Sequence, residues 1–372
     1  MNRAGLQPCR IASGVAMLSV VASLFLAAHA YLRAFDAKVE FKKGVERFRS
    51  ADYHRASLFF RRSTELDPAN AYYRGIYALS SAAEGWGYTT IEDNPLWSLA
   101  QARGVRISKS LDVADAQYTT ALRQNPNDSM FLNNLAWISA LKGDLHGAVA
   151  LSEAAVSNSP QSVIYHVSLS AFGSMTGDRE LFESQAAQAI QLSPLLSQSK
   201  WFKTIGVQCK ECVRRILEKA ANELTRARAV ETNVLTDARL GAVDMELGKE
   251  DDGYRLLRAS VEAMPNLSEA WCAIGRYLSR KGDLLGAQRA FRKGLFLDPG
   301  SVSARLGLCK LEGHAGEPLQ PCEEALQWRY GGGLRSDSAA LAVHMYRVSA
   351  EDVLADDSFP KGFLSYCCYI DP

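Results

Sequence analysis

Pro126, Pro160 and Pro194 stand 34 residues apart, and Pro265 and Pro299 repeat that step. Glycines keep the same interval, from Gly143 to Gly177 and from Gly248 through Gly282 to Gly316, and each lies 17 residues before its proline where that proline exists. A constant period of this size restricts the chain to a stack of copies of one supersecondary unit, each burying its apolar face on its neighbours.

One unit shows the physical logic. Trp271, Ile274 and Leu278 sit three and four residues apart on one face of a first helix, and Ala287 and Phe291 sit four apart on a second. Gly275 and Ala287 let the two backbones approach, Gly282-Asp283 forms the turn, and Pro299 ends the second helix because it has no N–H to donate. The same frame fits 37–70 (Gly44, Ala56, Phe60, Pro68), 129–162 (Leu132, Leu135, Ala136, Ala148, Ala155), 163–196 (Leu169, Ser170, Ala186, Ala189) and 234–267 (Leu240, Gly241, Leu257). Residues 71–128 read as a unit opened by an insertion near 85–108, with Ala114, Tyr118 and Ala121 back in frame. Residues 197–233 read as a divergent unit whose second helix runs through Cys212–Arg228. The array continues over 234–335 and decays after Gly316. Gly331-Gly332-Gly333 reads as a hinge, Ala339–Val348 alternates like a strand, and 336–372 reads as a non-repeat cap.

The pattern aromatic-x2-Ile274-Gly275-x2-Leu278, Ala287-x3-Phe291, Pro299 resembles the tetratricopeptide repeat over roughly 37–316. The resemblance implies an all-α, right-handed superhelical solenoid of helix hairpins. It also implies a non-catalytic binding module whose concave face is lined by positions 2, 5, 6 and 9 of each first helix. In the central pair of units these positions include Asn133, Asn134, Trp137, Ile164, Val167 and Ala171, a neutral surface; Arg276 and Lys310 make the C-terminal half more basic. The Asn pair suits a peptide backbone and Trp137 with Ile164 supplies apolar area, although Trp137 suits packing against a neighbouring helix equally well. The family's clamp for a terminal carboxylate is met here only by Asn134, because its other slots hold Gly75, Leu79, Ile164 and Ser168.

Ahead of the repeats, Ile11 to Leu32 is a run of 22 residues without formal charge, and as a helix it reaches ~33 Å, enough to cross hydrocarbon. With residues 1–10 as a short basic tail, the run reads as a single transmembrane anchor. A cleaved signal ending at Ala28-His29-Ala30 is the alternative. Arg33, Lys38, Lys42, Lys43, Arg47 and Arg49 follow the run and favour a cytoplasmic body, whereas a basic start before an apolar run is the usual export signal. The expectation is an extracytoplasmic, membrane-tethered body.

With 42 Lys+Arg against 41 Asp+Glu, the formal charge of +1 gives no global field for nucleic acid. Cys209-x-x-Cys212 is a candidate disulfide or, less readily, a redox pair, and Cys309 and Cys322 sit where paired helices of one unit touch. The six histidines form no metal pair, and neither a phosphate loop nor a nucleophile elbow occurs. The expectation is therefore no enzyme, no metal, no cofactor and no small-molecule substrate, but a protein partner in the groove. The apolar segment placed before repeats, with Leu192-Ser193-Pro194-Leu195-Leu196 and Trp201, also resembles repeat proteins associated with bacterial O-antigen polymerases and ligases. That resemblance implies a role in assembling the cell envelope.

Overall fold

The computed structural model describes residues 7–49, 52–87, 105–198, 202, 205–206, 209–298 and 301–315. Among these the regular structure is fourteen α-helices and one 3₁₀ turn, with no strand. The helices are α1 (Gln7–Arg49), α2 (Tyr53–Leu66), α3 (Ala71–Gly87), α4 (Val105–Gln124), α5 (Ser129–Leu141), α6 (Leu145–Asn158) and α7 (Val163–Thr176). They continue with α8 (Arg179–Leu192), the 3₁₀ turn Pro194–Gln198, α9 (Lys210–Val230), α10 (Val234–Glu246), α11 (Glu250–Ala263), α12 (Ser268–Arg280), α13 (Leu284–Leu297) and α14 (Val302–Ala315). Each helix packs on the one before and the one after, and first helices of successive hairpins also touch, α5 on α7, α10 on α12 and α12 on α14. That connectivity is a solenoid of helix hairpins. The expected cap at 336–372, the strand at 339–348, the glycine hinge and most of the insertion lie outside the described residues.

The turns explain why the hairpins repeat. Gly177 and Gly282 adopt φ of 78° and 84°, a region closed to most side chains, and so end α7 and α12. Asp178 and Asp283, next in sequence, then accept from the backbone N–H of Leu181 at 2.9 Å and of Gly286 at 2.8 Å. Each such cap is worth about 1 kcal/mol. A Gly-Asp pair therefore closes one helix and opens the next within two residues.

Packing follows the small residues. Phe291, only 2% exposed, sits where a β-carbon on Gly275 would stand 2.9 Å from its ring and one on Gly307 2.4 Å away. Phe131 is seated in the same way against Gly75, where a β-carbon would come within 2.0 Å. Each such ring contributes about 1.5–3 kcal/mol by leaving water. The core runs along the rod as successive clusters, from Phe60, Tyr118 and Trp137 through Ile190 and Ile216 to Leu257 and Ile274 and then Phe291 and Leu308.

α1 joins two roles in one uninterrupted helix of 43 residues, about 65 Å long. Its described apolar half is exposed, with Leu24, Phe25, Leu26, Tyr31, Leu32 and Phe35 between 58% and 75% accessible. Its second half buries Ala37, Val45 and Phe48 against the first hairpin. There, Ser63 of α2 donates to the Ala37 carbonyl at 2.9 Å. Val20–Phe48 contains an 18-residue window apolar enough for a membrane-crossing helix. The sequence suggests a boundary between a segment at 11–32 and a repeat beginning at 37; the helix crosses that boundary without a break.

Candidate functional site

Positions 2, 5, 6 and 9 of α10 are Leu235, Ala238, Arg239 and Ala242, and all four line a cavity of about 290 Å³. Its other walls are Pro194 and Leu195 of the 3₁₀ turn, Leu257 of α11, and the stretch Asn266–Ala270 that opens α12. The 3₁₀ turn starts at the repeat proline Pro194 and runs into the divergent unit, so the junction between the two units supplies one wall. The lining is mostly aliphatic, with Arg239 and Glu269 as the charged groups.

Charge converges beside it. Glu269 lies in the electrostatic field of both Arg239 and Arg276, which favours its ionised form, while desolvation by the surrounding wall outweighs them and raises its carboxyl above the usual range. Arg276, position 9 of α12, keeps 15% of its side chain exposed. Its Nη2 forms an ion pair with Oε1 of Glu246 at 3.6 Å, and its three guanidinium nitrogens make no hydrogen bond to a described residue. Burial pushes this guanidinium below its usual pKa, and Glu246 opposes that shift. Nε of Arg239 is likewise buried without a partner among the described residues. Lys310, position 9 of α14, is exposed.

The central pair of units is arranged differently. Asn133, Asn134, Trp137 and Val167 are at most 2% exposed, and Ile164 and Ala171 are half-buried. Asn134 donates to the Tyr118 hydroxyl at 2.9 Å, and Trp137 donates through Nε1 to Ser168 Oγ at 3.0 Å while packing its ring on Phe172. Burial raises the Tyr118 phenol far above its usual pKa, with the Asn134 bond opposing. These polar groups are spent inside the rod, so this stretch of the positions offers a partner little surface. Of the C-terminal positions expected to line the groove, Arg276 is largely buried and Lys310 is exposed. Sequence reasoning missed Leu235, Arg239 and Pro194-Leu195, although the same positional rule, applied to residues 234–267, points at the first two.

Cys209 and Cys212 are bonded at the start of α9, with Cα atoms 5.2 Å apart. Cys209 also caps that helix, its sulfur accepting from the Cys212 N–H at 3.1 Å. Cys212 is 8% exposed, and Cys272 is a buried free thiol. Cys322 lies outside the described residues, and the side chain of Cys309 is not described. Among the described residues no group of three or more His, Cys, Asp or Glu is arranged to hold a metal ion.

A family description, tetratricopeptide repeat, matches residues 117–150, the end of α4 through α5 to the start of α6. No curated protein matches the chain. Solved structures that it is similar to include PilF of Pseudomonas aeruginosa, at 11% identity and TM-score 0.34, covering 77% of this chain and 99% of that one. Others are MamA, at 17% identity and TM-score 0.24 over 52% of this chain and 92% of that one, and YrrB, titled a TPR protein with an unusual peptide-binding site, at 16% and 0.24 over 64% and 95%. Likeness at these scores says nothing of what the groove holds. Residues 117–150 match the tetratricopeptide repeat, and the 34-residue step, the Gly-Asp hairpin turns and the ring-on-glycine packing give the other described hairpins a fold similar to that repeat's.

Proposed function

We propose that the chain is a non-catalytic, membrane-tethered scaffold that holds a protein partner against the concave face of its repeats. One observation carries the reading: four consecutive groove positions of α10 converge on an aliphatic cavity with charged groups at its side, a surface suited to an extended segment of another protein. Tethering is supported by the exposed apolar half of α1, which an aqueous surface would not keep bare at that length. The body is proposed to be extracytoplasmic and the pathway that of envelope assembly. A permanent subunit of a membrane complex is the same reading with a slower off-rate.

The test is co-purification of the full chain from detergent-extracted native membranes, comparing wild type with Ala242→Trp, which fills the cavity, and Phe296→Ala on an exposed site of α13. A partner retained by wild type and Phe296→Ala but lost from Ala242→Trp supports the groove. Equal recovery with all three contradicts it.

A further inference from the structure

α1 passes from its exposed apolar half, which ends at Leu32, into the first hairpin at Ala37 without a break. The residues between and just beyond therefore stand at fixed heights above the edge of the hydrocarbon. At ~1.5 Å per residue from Leu32, Arg33 lies at that edge, Lys38 ~9 Å beyond it and Lys42 ~15 Å, and tilting the helix lowers these heights. A headgroup layer about 5–7 Å deep, with a screening length of about 8 Å beyond it, reaches all three. All three side chains are exposed. Lys38 and Lys42, one turn apart, form no ion pair among the described residues, whereas Lys43 is held by Glu40 at 2.7 Å. Helical side chains lean towards the N-terminus of their helix, which here is towards the bilayer.

The second helix of the hairpin returns to the same level. Arg33 donates from Nη2 to the Glu65 carbonyl at 3.0 Å, and Ser63 donates to the Ala37 carbonyl, so the last turn of α2 lies beside residues 33–37. That turn brings Arg61 and Arg62, 57% and 60% exposed, which share the single carboxylate of Glu65 at 3.6 and 3.3 Å. The acids at this level are Asp36, Glu65 and Asp67, and Glu40 and Lys43, next along α1, offset each other. Five cations thus face three acids, a local positive excess on a chain whose formal charge is only +1.

Resting on the tethered reading above, we propose that the first hairpin carries a basic collar, centred on Lys38 and Lys42, that binds the phosphates of anionic phospholipids where α1 leaves the bilayer. The lysines act as compact charges with three donors each, and Arg33, Arg61 and Arg62 extend the positive surface around the exit. A lipid surface is the occupant because it is continuous with the exposed apolar half of α1 and sets phosphates at the height of these cations. The collar makes the bilayer surface a second contact of the solenoid besides the anchor, on whichever side the body stands.

The test uses the full chain reconstituted in phosphatidylcholine bilayers that contain a trace of tritiated phosphatidylglycerol or tritiated phosphatidylcholine. A photoreactive amino acid is placed singly at Phe35, three and seven residues before Lys38 and Lys42 on one helix face, or at Phe25 in the apolar half. At Phe35 and about 0.15 M salt, adducts with phosphatidylglycerol are expected about fivefold above those with phosphatidylcholine, as for one uncompensated cation near an anionic headgroup. The ratio falls to near one in the double variant Lys38→Gln, Lys42→Gln, and also in about 1 M salt, where the screening length shrinks to about 3 Å. It is unchanged in Arg289→Gln, Arg292→Gln, a pair of exposed cations on α13 near the other end of the stack. Adducts at Phe25 with equal labelling by the two lipids, or none, at Phe35 overturn the collar and leave the tether standing. A preference that survives the lysine variant, or that the α13 variant abolishes equally, overturns the assignment to Lys38 and Lys42. No adduct at either position overturns the collar and the tether together.

Discussion

Arg215 of α9 reaches across to Glu183 of α8, donating from Nε at 3.0 and 3.1 Å and from Nη2 at 2.8 Å to the one carboxylate. Arg179 adds a further N–H at 2.9 Å, and the Glu183 side chain is only 5% exposed. This junction ties the divergent unit to the regular array, next to the turn that walls the cavity.

The junction makes stability depend on pH in a stated direction. Hydrogen bonds from Arg215, then those from Arg179, hold the Glu183 carboxyl below its usual range. A lowered carboxyl pKa means that the folded state favours the ionised form. Its contribution is therefore full above the ordinary glutamate value and is lost as pH falls through the lowered one. Glu183→Gln is expected to cost about 1–3 kcal/mol at neutral pH. Urea melts of wild type and variant should differ at pH about 7 and converge towards pH about 2; a difference that persists at low pH would contradict the assignment.

Ring-on-glycine packing gives a second expectation. Phe291→Ala empties a site between Gly275 and Gly307 and should cost about 3–5 kcal/mol. Gly275→Ala overfills that site and should cost about 1–3 kcal/mol. Asp178→Ala removes only a cap and should cost about 1 kcal/mol. Denaturant midpoints in that order check the account, and a cap deletion as costly as the ring deletion would refute it.

Cysteine chemistry gives a third. Under non-reducing conditions, peptide mapping should find Cys209 joined to Cys212. The buried Cys272 thiol, whose pKa burial raises, should resist maleimide until the chain is unfolded. Cys209→Ser keeps an acceptor for the Cys212 N–H and Cys209→Ala does not, so Ala should be the less stable by about 1 kcal/mol. If either variant lowers the rate of a disulfide-exchange assay below that of wild type, the bond has a redox role and the scaffold reading is incomplete.

Membrane attachment gives a fourth. The full chain should pellet with membranes through a high-salt wash and leave them only in detergent. A chain beginning at Asp36 keeps Ala37, Val45 and Phe48 for the first hairpin and should be soluble and helical. Amino-terminal sequencing that finds a new start at Tyr31 would show a cleaved signal in place of an anchor.

The hairpins were legible because their determinants are local and periodic. Gly282-Asp283 specifies a turn and a cap within two residues, and Gly275 and Phe291 announce close approach by their types alone. The surface was less legible, since exposure depends on how neighbouring hairpins rotate. The positional rule holds at Leu235 and Arg239, which line the cavity, yet at Asn134 and Trp137 the same positions turn inward to Tyr118, Ser168 and Phe172. Pro194-Leu195 closes the unit 163–196 in a 3₁₀ turn, outside the first-helix positions to which the rule applies. The Arg215–Glu183 link, 32 residues apart in sequence, leaves no periodic trace.

The most direct measurement places a photoreactive amino acid singly at Leu235, Arg239 and Ala242 in the groove, and at Arg289 and Phe296 on exposed sites of α13, in the full chain in its native membrane. The scaffold account predicts one discrete cross-linked product shared by the three groove positions and absent from the two on α13. A product from α13 alone, or from all five positions alike, would contradict it.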